Sequence, residues 1–382
     1  MAEVSDLERK ADRAAAAGDL ATARDSLEQA AAIGTPTAEV WTKLSAIRRA
    51  LGDLKGALEA IEKALALSPL DFSALLARAL LLERTSDGRA GEAFSRAIAQ
   101  LPPGGKIPES MAAAVEHATK RALEHQRAIE QRLLKALPSD IDEIHRQRLE
   151  RFASNTSRRT RHYHQEPTHF HFPGLPEIEF HAREEFPELP EIERATDAIR
   201  AEYEALIKLK TAELVPYTQY PDHVPLAQWR ALNNNPDWTA IHLLQNGRPV
   251  EANAQHCPRT LELLAKLPQP QIPGASPNAM FSLLAPRTRI PSHTGVANVR
   301  LVAHLPLIVP PGCGFRVGES IREWRVGEAF VFDDTIEHEA WNDSDELRVV
   351  LIFDLWAPAL DRIDRDAVAK LIPAAGVSFK GA

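Results

Sequence analysis

Residues 296–309 alternate between two series of positions with the period of a β-strand. Every member of one series is apolar: Ala297, Val299, Leu301, Ala303, Leu305 and Leu307. The intervening series carries Arg300 and His304 beside apolar residues. Because successive strand residues point to opposite faces of a sheet, the pattern predicts an antiparallel strand with one fully buried face. The polar residues on the second face indicate that it lines an internal space rather than bulk water.

A second strand is predicted at Leu347–Trp356. On this strand, Arg348 shares a face with Val350 and Ile352. A guanidinium keeps its charge in a protein, so Arg348 needs an anionic partner in these apolar surroundings. The residues leave open whether that partner is a protein carboxylate or the carboxylate of a ligand.

The first hundred residues have a helical pattern that repeats every 34 positions, from Gly18 to Gly52 for example. The recurring sets are Gly18-Asp19-Leu20 with Gly52-Asp53-Leu54, and Ala23, Leu27 and Ala30 with Ala57, Ile61 and Ala64. This period is typical of tetratricopeptide repeats, which are stacked helix pairs. We expect three such repeats in residues 1–103, with an irregular helical bundle as the alternative. Residues 104–160 are then expected to form capping and linking helices that cover the last repeat.

Composition places the chain among ordinary soluble proteins. Its 382 residues are 44% hydrophobic and 26% charged, and the net charge of −8 gives no reason to expect a nucleic acid partner. Two cysteines exclude a disulfide framework and fit a reducing compartment. The N-terminus lacks the pattern of a signal peptide, and no apolar run has the length of a membrane span. We therefore expect a cytoplasmic protein without membrane insertion.

Two conspicuous clusters have simple interpretations. Six arginines lie between Arg146 and Arg161 without the aromatic residues that accompany nucleic-acid binding, which favours a solvated surface. The run from His162 to His171 contains four histidines, but strand alternation accounts for the second pair, and Pro167 separates that pair from the first. We expect no metal site in this run.

Two other histidines are better candidates for metal binding. His293 and His338 are 45 residues apart, and each lies next to a turn at the end of a predicted strand. Neutral imidazole binds Fe(II), Zn(II) or Cu(II) well, and a jelly roll can bring distant strand ends together. A pair of hydrogen-bonded core histidines would give the same pattern, so both interpretations stay open from these residues alone.

The order of motifs around these histidines resembles the aspartyl/asparaginyl β-hydroxylase family. The motifs are Ser282, then after ten residues His293-Thr294-Gly295, then Asn298-x-Arg300-x-x-x-His304, then Phe332-Asp333-Asp334-x-x-x-His338-Glu339-x-Trp341, and finally Arg348. Members of this family are Fe(II)- and 2-oxoglutarate-dependent oxygenases on a double-stranded β-helix, which is a jelly-roll or cupin-like fold. The likeness covers roughly the C-terminal half of the chain, so residues 161–382 are expected to form such an oxygenase domain with flanking helices.

The resemblance implies roles for six residues. The matches are His293 and His338 with the iron ligands, Ser282 and Arg348 with the residues that hold the distal carboxylate of 2-oxoglutarate, His304 with a residue near its other carboxylate, and Arg300 with an arginine that contacts substrate. A planar guanidinium suits a carboxylate, which is the kind of partner that Arg348 needs.

Gly295 stands where most 2-oxoglutarate oxygenases place a carboxylate ligand. The resemblance nevertheless implies a site of two histidines and water, which is the pattern of this family. The carboxylates considered as substitutes are Asp333, Asp334, Glu337 and Glu339. The glutamates flank His338 on a strand and should face away from it, and the aspartates are expected to fix the turn.

Two further departures concern the substrate. Val302 and Leu244 stand where the family often has an arginine and a tryptophan. The 2-oxoglutarate site is still recognisable without them, but the identity of the substrate is left open.

The resemblance implies β-hydroxylation of an Asp or Asn side chain in a peptide or protein, with Fe(II) as cofactor and 2-oxoglutarate and O2 as co-substrates. One alternative is a hydroxylase of a free amino acid, a small peptide natural product or a lipid acyl chain. The other is a binding protein that works through its repeats and has a degenerate oxygenase core, although an intact set of candidate site residues argues against it. A peptide substrate would be recruited by the concave face of the repeats.

Overall fold

The computed structural model of the protein describes residues 2–33, 35–101, 107–209, 212–221, 223 and 227–376. The chain divides into two compact units, Met1–Thr160 and Arg161–Ala382. None of the helices in these described ranges combines the length and the apolar character needed to cross a bilayer.

The described part of the N-terminal unit is a row of eight α-helices, in which each helix packs closely on the next. They are α1 (Ala2–Ala16), α2 (Leu20–Ala32), α3 (Ala38–Ala50), α4 (Leu54–Leu67), α5 (Phe72–Arg84), α6 (Ala90–Ile98), α7 (Glu109–Lys135) and α8 (Glu143–Thr156).

Glycine and aspartate set the turns within the repeats. Gly18 and Gly52 have φ values of +80° and +82°, which glycine adopts without the steric cost of a Cβ. Asp19 and Asp53 follow them, and each side chain accepts a hydrogen bond from the backbone N–H three residues later, at 3.0 and 2.9 Å. The recurring Gly-Asp-Leu therefore marks the same helix–turn–helix in both repeats.

The buried positions continue this period into a third helix pair. Equivalent positions are filled by Ala23, Leu27 and Ala30, by Ala57, Ile61 and Ala64, and by Ala90, Phe94 and Ala97, all of which are buried. The described residues of this region thus form the expected tetratricopeptide-like repeats. Helix α7 adds Val115, Ala118 and Ala122 to the apolar cluster of the last pair, which is the role expected of a capping helix.

The C-terminal unit combines two antiparallel sheets with flanking helices. Its strands are β1 (Val215–Pro216), β2 (Trp238–Gln245), β3 (Arg248–Pro249), β4 (Ala279–Leu284), β5 (Thr288–His293), β6 (Arg300–Ile308), β7 (Cys313–Val317), β8 (Ser320–Arg322), β9 (Phe330–Phe332), β10 (His338–Asn342) and β11 (Arg348–Trp356). Its α-helices are α9 (Leu189–Arg194), α10 (Thr196–Ile207), α11 (Glu251–Ala254), α12 (Pro258–Leu264) and α13 (Arg362–Ala374), and short 3₁₀ helices lie at Arg183–Glu185 and Ala227–Ala231.

Within the described residues, the larger sheet has the strand order β1-β2-β4-β11-β6-β9, with β3 paired to β2, and the smaller sheet has the order β5-β10-β7-β8. Strands that are neighbours in space are therefore often far apart in sequence, as in a jelly roll. This arrangement is the double-stranded β-helix predicted from the sequence.

The two faces of the larger sheet have different surroundings. The apolar series of β6, from Leu301 to Leu307, packs in one cluster with residues of α9, α10, α12 and α13. The opposite face, which includes Val302 and Val350, packs in a second cluster with Phe315 and Val317 of the smaller sheet. The alternation in the sequence therefore distinguishes the face under the helices from the face that lines the space between the sheets. The candidate site lies in that space.

Candidate active site

His293 and His338 meet at one end of the smaller sheet. His293 ends β5, His338 begins β10, and their Cα atoms are partners in the antiparallel register. Their ring centroids are 4.0 Å apart. Two residues separated by 45 positions in the chain thus present their imidazoles to the same small volume.

Each imidazole is oriented by a backbone carbonyl two residues earlier. His293 Nδ1 lies 2.8 Å from the oxygen of Pro291, and His338 Nδ1 lies 3.1 Å from the oxygen of Ile336. A carbonyl oxygen can only accept, so Nδ1 carries the hydrogen in both rings and Nε2 keeps its lone pair. Burial lowers the pKa of His293 to about 4 and that of His338 well below its usual value, so both rings are neutral. Neutral, oriented imidazoles with free Nε2 atoms are suited to holding a divalent metal.

Arg348 is a buried cation that donates hydrogen bonds to the uncharged Ser282. Its side chain is 2% exposed, and Nη1 donates to the backbone oxygen of Ser282 at 3.2 Å and to Ser282 Oγ at 3.3 Å. Its Nε is buried without a hydrogen-bond partner, and no ion pair with a described carboxylate is found. Burial lowers the pKa of Arg348 to about 10. The guanidinium has spare donors and an uncompensated charge, which fits the binding of a ligand carboxylate.

Two tryptophans complete the surroundings of this arginine. Trp238 Nε1 donates to Ser282 Oγ at 3.3 Å, so the hydroxyl is shared between the indole and the guanidinium. On another side, the guanidinium carbon of Arg348 lies 4.9 Å from the ring centroid of Trp324. Trp324 Nε1 in turn donates to His304 Nδ1 at 3.2 Å. Trp324 therefore links Arg348 to His304.

His304 lies deep between the sheets, in an aromatic setting. Its ring centroid is 5.0 Å from that of Phe315 and 4.9 Å from that of Phe332. Burial, and then the charge of Arg348, hold the pKa of His304 well below its usual value. A neutral ring that accepts at Nδ1 from Trp324 carries its hydrogen on Nε2, and this atom is the donor available to a second ligand carboxylate.

Arg300, the predicted substrate residue, is already paired with two protein carboxylates. Its Nη2 lies 3.1 Å from Asp334 Oδ2, and its Nη1 lies 3.4 Å from Asp354 Oδ1. Burial works against its charge, but the two aspartates outweigh burial and raise its pKa. Arg300 thus differs from Arg348: one buried arginine has its charge compensated within the protein, and the other does not.

Asp334 occupies the space beside Gly295. A Cβ atom at position 295 would overlap the Asp334 carboxylate, and the Gly295 N–H donates to the backbone oxygen of Asp334 at 2.6 Å. Burial raises the pKa of Asp334 to about 6, against the opposing effect of Arg300, and its Oδ1 has no hydrogen-bond partner. The expectation that Asp334 only fixes a turn was therefore incomplete.

The other three carboxylates near the motif behave as expected from the sequence. Asp333 Oδ1 accepts from the backbone N–H of Thr335 at 2.9 Å and from its hydroxyl at 2.6 Å, which fixes the turn. Glu337 and Glu339, the residues on either side of His338, pair with Arg316 at 2.9 and 2.7 Å and so point away from the histidine.

An aromatic wall next to His293 was not found by sequence reasoning. Tyr217 stacks on Trp238 at 3.8 Å between centroids, and Trp229 stands edge-on to His293 at 4.8 Å. Burial raises the pKa of Tyr217 to about 12, so its hydroxyl stays protonated. Tyr217 follows the two-residue strand β1, Trp229 lies in the 3₁₀ helix Ala227–Ala231, and Trp238 is the first residue of β2, so no periodic pattern identifies them as buried. Only their bulk could have suggested them.

Comparison with known proteins finds one family match and several relatives. Residues 193–358 match the family model described as aspartyl/asparaginyl beta-hydroxylase. The chain is 37% identical over 176 residues to the ornithine lipid ester-linked acyl 2-hydroxylase of Rhizobium tropici, which covers 45% of this chain and 58% of that protein. It is 36% identical over 131 residues to the aspartyl/asparaginyl beta-hydroxylase of Homo sapiens, covering 34% of this chain and 17% of that protein. It is 31% identical over 210 residues to the aspartate beta-hydroxylase domain-containing protein 2 of Homo sapiens, covering 53% and 54%.

The C-terminal unit is thus a double-stranded β-helix in which two histidines are paired at one end of the smaller sheet. The resemblance to the aspartyl/asparaginyl beta-hydroxylase family covers residues 193–358, which is less than half of the chain. The chain spans between about one sixth and three fifths of the length of the relatives named above.

Proposed function

We propose that this protein is a 2-oxoglutarate-dependent hydroxylase with one Fe(II), held by His293 and His338. The observation that carries the proposal is the uncompensated charge of Arg348, 2% exposed and without an ion pair to any described carboxylate. A buried charge of this kind is costly unless a ligand completes it. The match to the hydroxylase family and the paired imidazoles support the proposal from independent observations.

The residues of this chain divide the work of binding. His293 and His338 would hold the metal through Nε2, because Nδ1 of each ring is committed to a backbone carbonyl. Arg348 and Ser282 would hold the distal carboxylate of 2-oxoglutarate, and His304 would donate to its other carboxylate. When bound, the iron, 2-oxoglutarate and O2 together supply the oxidant that hydroxylates an unactivated C–H bond, with 2-oxoglutarate converted to succinate and carbon dioxide.

The surrounding side chains exclude water and fix these groups in place. Trp324 and Phe315 cover Arg348 and His304, and Trp229 covers one edge of His293. Asp334 fills the position beside Gly295 where a carboxylate ligand would begin, so a side chain at position 295 would require Asp334 to move. The metal site is therefore proposed to rest on two protein ligands, with water completing it.

The first substrate candidate is an Asp or Asn side chain in a peptide or protein, as the family description suggests. A lipid acyl chain is the second candidate, and one observation specifically favours it. Arg300 is neutralised by Asp334 and Asp354, and the neighbouring Val302 is apolar, so this part of the site offers no free cation to a substrate carboxylate. The Rhizobium tropici relative is named for action on an ester-linked acyl group.

Succinate formation tests the function and the substrate class together. The full-length protein, supplied with Fe(II), 2-oxoglutarate and O2, is assayed with peptides that carry Asn, with matched peptides that carry Asp, and with ester-linked acyl lipids. Succinate that rises with one class, together with a product heavier by one oxygen atom, identifies the substrate. If the metal-loaded protein forms no succinate and shows no 2-oxoglutarate binding by calorimetry, the proposed function is wrong.

A further inference from the structure

A second cluster of metal-binding side chains lies on the surface of the C-terminal unit, apart from the candidate active site. Among the described residues, one group of three such side chains has donor atoms within 4.8 Å of one another: His162, His164 and Glu177. His164 Nδ1 lies 3.1 Å from Glu177 Oε2, and His162 Nε2 lies 4.0 Å from the same oxygen. All three side chains are exposed, so a metal ion can reach them.

The distances fit a transition metal. In a tetrahedral zinc site with bonds of about 2.0–2.1 Å, neighbouring donor atoms lie roughly 3.3 Å apart. The separations of 3.1 and 4.0 Å bracket this value, and the two imidazoles are also in contact, with His162 Nδ1 3.1 Å from His164 Nε2. Two imidazoles and one carboxylate suit Zn(II), Ni(II) or Cu(II), and they bind these ions more strongly than Fe(II).

We propose that His162, His164 and Glu177 form a second site for a divalent transition metal, most suitably Zn(II), with water in the remaining position. This proposal revises the expectation from the sequence that the histidine run binds no metal. The sequence argument compared the two histidine pairs with each other across Pro167. The third donor is instead Glu177, 13 residues after His164, which the fold brings beside the first pair.

The segment that carries these histidines connects to both loops next to the candidate iron ligands. Gln165, directly after His164, receives a hydrogen bond from Asn298 at 2.9 Å and donates its amide to Asp333 Oδ2 at 2.5 Å. Its backbone N–H donates to Glu177 Oε1 at 3.0 Å. A metal ion bound by His164 and Glu177 therefore holds both the residue that precedes Gln165 and the carboxylate that accepts from the Gln165 backbone N–H.

Two backbone hydrogen bonds extend this connection. The Glu166 N–H donates to the oxygen of Thr335 at 2.8 Å, in the loop before His338. The Thr168 N–H donates to the oxygen of Gly295 at 2.9 Å, in the loop after His293. Zinc at the second site is therefore structural: it stabilises the segment that ties these two loops together.

Calorimetric zinc titration of the metal-free, full-length protein tests the site. The variant His162→Ala/His164→Ala loses one equivalent of bound zinc, and the conservative variant Glu177→Gln binds that equivalent more weakly. A matched control, His145→Ala/His171→Ala, removes two other exposed histidines and keeps the wild-type stoichiometry. All five positions are on the surface, and melting curves without metal check that each variant is folded.

The active-site variant His293→Ala/His338→Ala separates the two metal sites. It retains the surface equivalent of zinc, which also raises its melting temperature, because a ligand that binds only the folded state stabilises it. The proposal is overturned if His162→Ala/His164→Ala keeps the wild-type zinc stoichiometry, or if His293→Ala/His338→Ala binds no zinc. Neither readout depends on 2-oxoglutarate turnover, so failure here is distinguishable from failure of the proposed function.

Discussion

Replacing Arg348 with methionine tests the interpretation that its charge is reserved for a ligand. Methionine is unbranched and fills irregular apolar space, so Arg348→Met keeps much of the volume while it removes the charge. The site of the change is fully buried between the two sheets, beside Ser282 and Trp324. The expected results differ for two quantities: 2-oxoglutarate affinity falls, and the stability of the ligand-free protein stays the same or rises slightly.

The expected effect on stability follows from the pKa of Arg348. Burial lowers it from 12.5 to about 10, which corresponds to about 3 kcal/mol against folding at 1.36 kcal/mol per pH unit. The guanidinium is charged in both the folded and the unfolded states below pH 10, so this whole cost applies at neutral pH. Methionine removes the cost and loses two hydrogen bonds to Ser282, each worth about 1 kcal/mol. Arg348→Met is therefore expected to leave the ligand-free protein as stable as before, or more stable by about 1 kcal/mol.

The expected effect on binding is larger. Removing one partner of a buried charge pair costs about 3–5 kcal/mol, which is a loss of a few hundred to a few thousandfold in 2-oxoglutarate affinity. Thermal melts with and without 2-oxoglutarate measure both quantities, and the co-substrate should no longer raise the melting temperature of the variant. Metal affinity, measured by calorimetry, should stay close to the wild-type value.

Arg300→Met is the matched control, because Arg300 is a buried arginine whose charge the protein itself compensates. Its removal leaves Asp334 and Asp354 without their cation, and a destabilisation of about 3–5 kcal/mol is expected. The reasoning is refuted if Arg348→Met binds 2-oxoglutarate normally, or if it destabilises the ligand-free protein as strongly as Arg300→Met does. Either result would mean that Arg348 is a structural residue.

Three further predictions concern the metal site and the repeats. His293→Ala and His338→Ala should each abolish binding of one Fe(II) or Mn(II), and calorimetry that shows unchanged affinity in both would remove the proposed centre. Gly295→Asp should lower the melting temperature without improving metal binding, because Asp334 already fills that space; a joint rise in metal affinity and turnover would contradict this. Deleting residues 1–160 should leave 2-oxoglutarate binding intact and abolish hydroxylation of a protein substrate, whereas unaffected hydroxylation would exclude a recruiting role for the repeats.

Much of the fold could be predicted because the relevant signals are local. Strand alternation in residues 296–309 depends only on the geometry of a single strand, and it separated the face under the helices from the face that carries His304. The 34-residue period likewise reflects one turn repeated along the chain, with Asp19 and Asp53 at equivalent helix starts. Such patterns need no knowledge of which distant segments meet.

The parts of the site that escaped prediction depend on contacts between distant segments. Asp334 lies beside Gly295 because two loops 39 residues apart are joined by a backbone hydrogen bond. Trp238 reaches Ser282 across 44 residues. The sequence showed each of these side chains but no pattern that relates one distant segment to another, so the roles of Asp334 and Trp238 could be recognised only in three dimensions.

The charges around Arg300 bear directly on which substrates the proposed site would accept. One guanidinium faces two carboxylates, so this cluster has no positive charge to offer when both aspartates are ionised. An ionised Asp side chain placed beside it would be repelled at the low effective dielectric of a buried site, where two unit charges 4 Å apart interact by about 4 kcal/mol. An Asn side chain or an acyl chain carries no such charge and avoids the repulsion. The electrostatics therefore favour an asparagine side chain or a lipid acyl chain over an aspartate side chain as the substrate.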